Sequence, residues 1–114
     1  MKGTQLGEFE ELILLIVGVL YPNAYGLNIR IEIQSQTGRK VALGAVHSAL
    51  SRLEEKGFLK SQLSNETHER GGRRKRLFTI TASGKSAMER NYEMRNNLFH
   101  KIPKIAWESL DYEG

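Results

Sequence analysis

The chain has 114 residues, 39% of them hydrophobic and 26% charged, and a formal net charge of +4. Its length allows one small domain with a modest core, and its basic balance favours a polyanionic partner. It contains no cysteine, which excludes disulfides, thiolate metal sites and thiol catalysis and fits a reducing cytoplasm. The longest apolar run, Leu12–Leu20, is too short for a bilayer, which takes about 20 residues. Glu8, Glu10 and Glu11 ahead of it are the wrong flank for a secretory signal. A soluble, cytoplasmic protein without a membrane partner is expected.

The first predicted element is a helix from Leu6 to Leu20. Leu6, Phe9, Ile13, Ile16, Val17 and Leu20 recur at helical spacing. Leu12, Leu14, Leu15 and Val19 make its second half apolar nearly all round, so a second subunit is expected to complete its cover. Tyr21-Pro22-Asn23 ends it. Tyr25 to Thr37 is ambiguous. Tyr25, Leu27, Ile29, Ile31 and Ile33 alternate as in a strand, yet Tyr25, Ile29 and Ile33 also share one helical face. Pattern alone leans to strand.

Leu43 to Lys56 reads as a helix with Leu43, Val46, Ala49, Leu50 and Leu53 inward and Gly57 as its stop. Gly44, Ser48, Ser51, Arg52 and Glu55 share the opposite face, with His47 at its edge. Small residues let such a face enter a groove closely, and Ser and Arg can bond base edges or phosphates. Phe58–Leu63 and Arg74–Ile80 are strand candidates joined by a polar loop, which makes a hairpin with a basic, glycine-containing tip. Thr81 can cap a long helix running toward Lys101. Pro103 breaks or restarts it before an apolar tail with Trp107.

Charge is concentrated at that hairpin. Arg70, Arg73, Arg74, Lys75 and Arg76 are five of the 17 Lys+Arg, and the other 12 face 13 Asp+Glu. A charge run in isolation is as often a solvated turn as a binding site. Here it follows directly on a helix with a small polar face, which is the winged helix-turn-helix arrangement. The fold class expected is mainly α with a small β-hairpin (α+β). The three histidines, His47, His68 and His100, lie far apart, and His47 and Ser48 are neighbours that do not face each other. No metal site, cofactor or catalytic group is expected.

Leu6-Gly7-Glu8-Phe9-Glu10, Ala24-Tyr25-Gly26, Leu43-Gly44-Ala45-Val46, Ser51–Gly57 and Gly71–Lys75 together resemble the PadR-type transcriptional regulators. The resemblance covers about Leu6 to Lys85. It implies a winged helix domain over residues 1–81 and a C-terminal dimerisation helix and tail over 82–114. It also implies that Tyr25–Gln36 is a helix, against the alternation. Leu43–Lys56 would be the recognition helix and Asn65–Lys75 the wing. The expected partners are a second copy and double-stranded DNA carrying a near-palindromic operator, and the expected role is repression. The DNA-contacting candidates are Gly44, His47, Ser48, Ser51, Arg52, Arg70, Arg73, Arg74, Lys75 and Arg76. A small-molecule effector walled by Trp107, Phe99 and Tyr92 is compatible with the resemblance. The chain departs from the family in two places: His47 stands where a tyrosine is common, and Ala42 where a serine would cap the recognition helix. A winged helix that docks on protein instead of DNA would carry exposed apolar residues on that helix.

Overall fold

The computed structural model describes residues 5–65, 74–108 and Leu110. Five helices and one hairpin follow in the order α1 (Glu8–Leu20), α2 (Gly26–Thr37), α3 (Leu43–Glu55), β1 (Leu59–Leu63), β2 (Arg76–Ile80), α4 (Ala82–Lys101) and α5 (Lys104–Glu108). Helices α1, α2 and α3 pack on one another around Ile13, Leu14, Val17, Ile29, Ile33, Val46, Leu50 and Leu53, all essentially inaccessible to solvent. Strands β1 and β2 pair antiparallel, Leu59 opposite Ile80 and Leu63 opposite Arg76. Phe78 donates its amide to the Ala24 carbonyl at 2.9 Å, which stitches the hairpin to the start of α2.

The strand expected from the alternation between Tyr25 and Thr37 is a helix. Ile29 and Ile33 are buried, while Leu27 and Ile31, the residues that completed the alternation, face outward. Those two exposed apolar side chains produced the misleading period. Gly38 ends α2 at φ +76°. Helix α3 ends as the sequence predicts. Gly57 adopts φ +81°, its amide bonds Glu54 O at 3.0 Å and the Phe58 amide bonds Leu53 O at 2.9 Å, satisfying the last free carbonyls. Ala42 does stand at the start of α3 without a side-chain cap. A serine there would stabilise the helix by about 1 kcal/mol.

Thr81 locks the start of α4. Its hydroxyl accepts the Gly84 amide at 3.0 Å and donates to Gly57 O at 2.6 Å. Only Gly84 and Ala87 of α4 are buried, Met88 packs partly on the core, and much of the helix beyond it is exposed. The molecule measures 60 × 35 × 21 Å, with a radius of gyration of 17.8 Å. A compact chain of this length would be near 13 Å. The helix breaks at Pro103 and restarts as α5. Helix α1 is covered on most sides, but Leu15 and Val19 stay 50% and 63% exposed. Within one chain the expected all-round burial is therefore incomplete. No described helix is long and apolar enough to cross a membrane.

Candidate nucleic-acid interface

Helix α3 offers solvent the face that its sequence predicts. Gly44, Ala45, His47, Ser48, Ser51 and Arg52 are all exposed, and open space surrounds Gly44. No large apolar side chain lies among them. His47 leans on the first residue of α2: a Cβ added to Gly26 would lie 2.5 Å from its Cε1. The absence of a side chain at Gly26 is what seats the imidazole there.

Arg52 has a partner that the sequence did not reveal. Its Nε donates to Glu10 Oε2 at 3.1 Å, and Lys56 Nζ donates to Glu10 Oε1 at 2.8 Å. Lys56 also bonds the Gln5 carbonyl at 2.9 Å, and the Gly7 amide bonds Glu10 Oε1 at 3.0 Å. Glu10 is 7% exposed and is the one charged residue buried among those described. Burial pushes its pKa up, but hydrogen bonds from Lys56, the Gly7 amide and Arg52, with the charge of Lys56, outweigh it and hold the carboxyl below its ordinary value. This carboxylate fixes the C-terminal half of α3 to α1, and so sets the angle at which the exposed face is offered.

A carboxyl whose folded pKa is depressed contributes stability above its unfolded pKa and loses it as pH falls through the folded value. Thermal unfolding is therefore expected to show stability declining below about pH 4. Glu10→Gln should flatten that decline and cost about 2 kcal/mol at neutral pH. An unchanged acid limb would remove Glu10 from this role.

The hairpin root lies beside α3. Arg76 Nη1 donates to Ser61 Oγ at 3.0 Å, and Ser61 Oγ donates to Glu54 Oε2 at 2.7 Å. This relay ties the wing to the recognition helix candidate. Lys75 Nζ sits 4.6 Å above the centre of the Tyr25 ring, a cation–π contact. The Lys75 and Ser64 backbones close the last described rung of the hairpin, Ser64 N to Lys75 O at 2.7 Å. Arg74 is exposed. Arg70 and Arg73, with Gly71 and Gly72, lie outside the described residues. An open cleft between α3 and the wing root brings His47, Lys75 and Arg76 together, and Ser48 and Ser51 are exposed further along α3. Tyr25, Glu10, Glu54 and Ser61 join the arrangement, none of them among the DNA-contacting candidates of the sequence. Glu10, three residues after the cap Gly7, carried a further legible signal, that of a capping residue.

The three effector candidates separate. Phe99 and Trp107 pair with ring centroids 5.7 Å apart, folding α5 back on the end of α4. Tyr92 instead lines an apolar cleft of about 510 Å³ with Leu15, Ile80, Ala82 and Met88.

A three-helix core whose third helix offers a small polar face, continued by an antiparallel hairpin rooted in cations, defines a winged helix protein. The family model of the transcriptional regulator PadR-like family matches residues 12–90, and the chain belongs to that family. It is thus a transcriptional regulator and not an enzyme. A PadR family transcription regulator from a hypervirulent Clostridium difficile is 26% identical with a TM-score of 0.67, covering 82% of this chain and 93% of its own. A transcriptional regulator from Clostridium thermocellum shares the fold at 24% identity and TM-score 0.62, with 83% and 89% covered. Bacillus subtilis PadR, solved in complex with operator DNA, shares the fold at 19% identity and TM-score 0.57, with 72% of this chain and 45% of that one covered. A comparison with curated proteins gave no match.

Proposed function

We propose that this regulator is a homodimeric repressor that binds a near-palindromic operator. Helix α3 enters the major groove, Ser48 and Ser51 meet base edges, and Arg52, tethered by Glu10, positions on the duplex. The wing, including Arg74 and Lys75, lies on the flanking backbone or in the minor groove. The observation that carries this reading is the exposed, small, polar face of α3 beside an exposed basic hairpin root. The operator complex of Bacillus subtilis PadR supports it by analogy of fold. The absence of large apolar side chains on that face argues against a winged helix that docks on protein.

The dimer in this reading is supported by exposed apolar residues on the projecting α4, Tyr92, Met94, Leu98 and Phe99, with Ile102 just past its end, and by Leu15 and Val19 on α1. Two subunits would place two α3 helices in successive major grooves about 34 Å apart. A small apolar effector would act from the cleft at Tyr92, whose volume suits a drug-sized ligand.

The test is fluorescence anisotropy on the DNA upstream of the protein's own gene, against scrambled duplex, across a salt series. If each subunit neutralises about four phosphates, the log–log slope should be about −7. Preference for the upstream duplex should be a hundredfold or more. Equal affinity for both duplexes would remove sequence specificity, and no binding to either would remove the DNA reading.

A further inference from the structure

Between the start of α3 and the wing root lies an open cleft of about 400 Å³, where His47, Lys75 and Arg76 meet Tyr25, a residue of neither the recognition face nor the wing. Its polar groups are the Tyr25 phenol, the His47 imidazole, the Lys75 ammonium and the Arg76 guanidinium, and no carboxylate lines it. Lys75 and Arg76 differ in how they are held. Arg76 is engaged by Ser61, whose hydroxyl bonds Glu54. Among the described residues, the Lys75 ammonium is steadied by the face of the Tyr25 ring, at 4.6 Å. That contact orients the ammonium without neutralising it. The Tyr25 hydroxyl makes no hydrogen bond among the described residues, although the backbone amide of the same residue is fixed by Asn28 Oδ1 at 2.8 Å. The remaining walls are apolar, with Leu27 and Leu43 prominent.

We infer that this cleft seats one backbone phosphate and its deoxyribose, with the Tyr25 hydroxyl and Lys75 ammonium bonding the phosphate oxygens and the apolar walls meeting the sugar. Tyr25 is thereby a positioning contact for α3, on an element outside both the recognition helix and the wing. The inference rests on the DNA reading above and deepens it. Phosphate contacts fix the register and orientation of a protein on the duplex, while base contacts carry sequence. A phosphate held between α3 and the wing root fixes the depth and tilt of α3 in the groove. The mixed lining favours a phosphodiester step over free phosphate, since an inorganic ion has nothing to place against Leu27 and Leu43.

The test begins with the full-length native protein and a duplex enriched from a random-sequence pool. Tyr25→Phe keeps the ring beneath Lys75 and removes only the hydroxyl. It should bind that duplex roughly tenfold more weakly, as for one hydrogen bond to a charged group, with an unchanged melting temperature. Single methylphosphonate linkages are then walked along the duplex. At one position per half-site the neutral linkage should weaken the native protein comparably and add nothing to the Tyr25→Phe loss. Lys75→Gln should lower the salt slope by about one for each phosphate it releases. Equal binding by native protein and Tyr25→Phe, or additive losses at every linkage, would overturn the inference and leave the DNA reading standing. Saturation of the Tyr25 ring signals by inorganic phosphate without DNA would assign the cleft to a soluble anion instead. A pool that enriches nothing would bring down the DNA reading and this inference with it.

Discussion

Replacing Gly84 with alanine is expected to lower the melting temperature by roughly 10 °C, a loss of about 2 kcal/mol. A Cβ at position 84 would overlap the carbonyl oxygen of Phe58 and lie 3.0 Å from Ile80 Cγ2. The obstacle is backbone and cannot rotate away. It is also pinned, because the same carbonyl accepts the Thr81 amide at 3.1 Å. Accommodating the methyl group means moving the first turn of α4 off the hairpin, at the expense of the Thr81 cap. Alanine's better helix propensity returns about 1 kcal/mol of this, so the steric cost must exceed the net loss. Ser83→Ala, one position earlier and exposed, should change stability by less than about 0.5 kcal/mol. Thermal unfolding of the two variants side by side checks this. An unchanged or raised melting temperature for Gly84→Ala would mean that α4 does not rest on the hairpin as described.

What could be read from the sequence divides by range. Local signals held: the apolar face of α3, the Gly57 stop, the Thr81 cap and the break at Pro103 are each set by residues within one or two turns. The alternation in Tyr25–Thr37 failed because a short period is decided by which side meets the core, and α2 leaves Leu27 and Ile31 uncovered. The shared helical face of Tyr25, Ile29 and Ile33 left helix open, and the resemblance decided for it there.

The site was legible as a face and not as a set of contacts. Gly44, His47, Ser48, Ser51 and Arg52 could be placed on the outside of one helix by counting at 100° per residue. The partners that orient them come from far away in the chain. Glu10 reaches Arg52 across 42 positions and Lys56 across 46. The first turn of α1 in fact grips three elements, since Glu8 pairs with Arg39 at 2.7 Å and Glu11 with Arg95 at 3.8 Å. In the sequence those acids stand as the wrong flank for a signal peptide, and Glu8 and Glu10 as part of a family motif. Their spacing carries no trace of the basic residues that they meet, because pairing of this kind is fixed by the packing of α1 between α3 and α4.

Leu98→Asp is expected to abolish the proposed dimer and to weaken binding to a two-half-site duplex by a hundredfold or more. Counted around the helix, Tyr92, Leu98 and Phe99 of α4 and Ile102 just past its end fall within a sector of about 120°, with Met94 at one edge and Arg95 inside it, while Glu89, Glu93, Asn97 and Lys101 lie on the remaining surface. These apolar side chains are solvent-exposed in one chain, Leu98 at 57%, so a charge there costs the isolated fold little. Buried against a second copy, the same carboxylate would lose its hydration without a partner. The effect on DNA follows from linkage. In the proposed dimer, two joined winged domains would bind the second half-site at the high effective concentration set by α4, which would raise affinity by about 10² to 10⁴ over one domain without any new contact. Light scattering should report a monomer with native circular dichroism. Affinity for a single half-site should stay within about twofold of the native protein's, since no contact of α3 or the wing is touched. Asn97→Asp, with the same charge change about 100° around the helix and outside that sector, should leave both mass and affinity unaltered. A Leu98→Asp protein that remained dimeric would place the interface elsewhere. One that became monomeric but bound the two-half-site duplex as tightly as before would separate DNA recognition from dimerisation altogether.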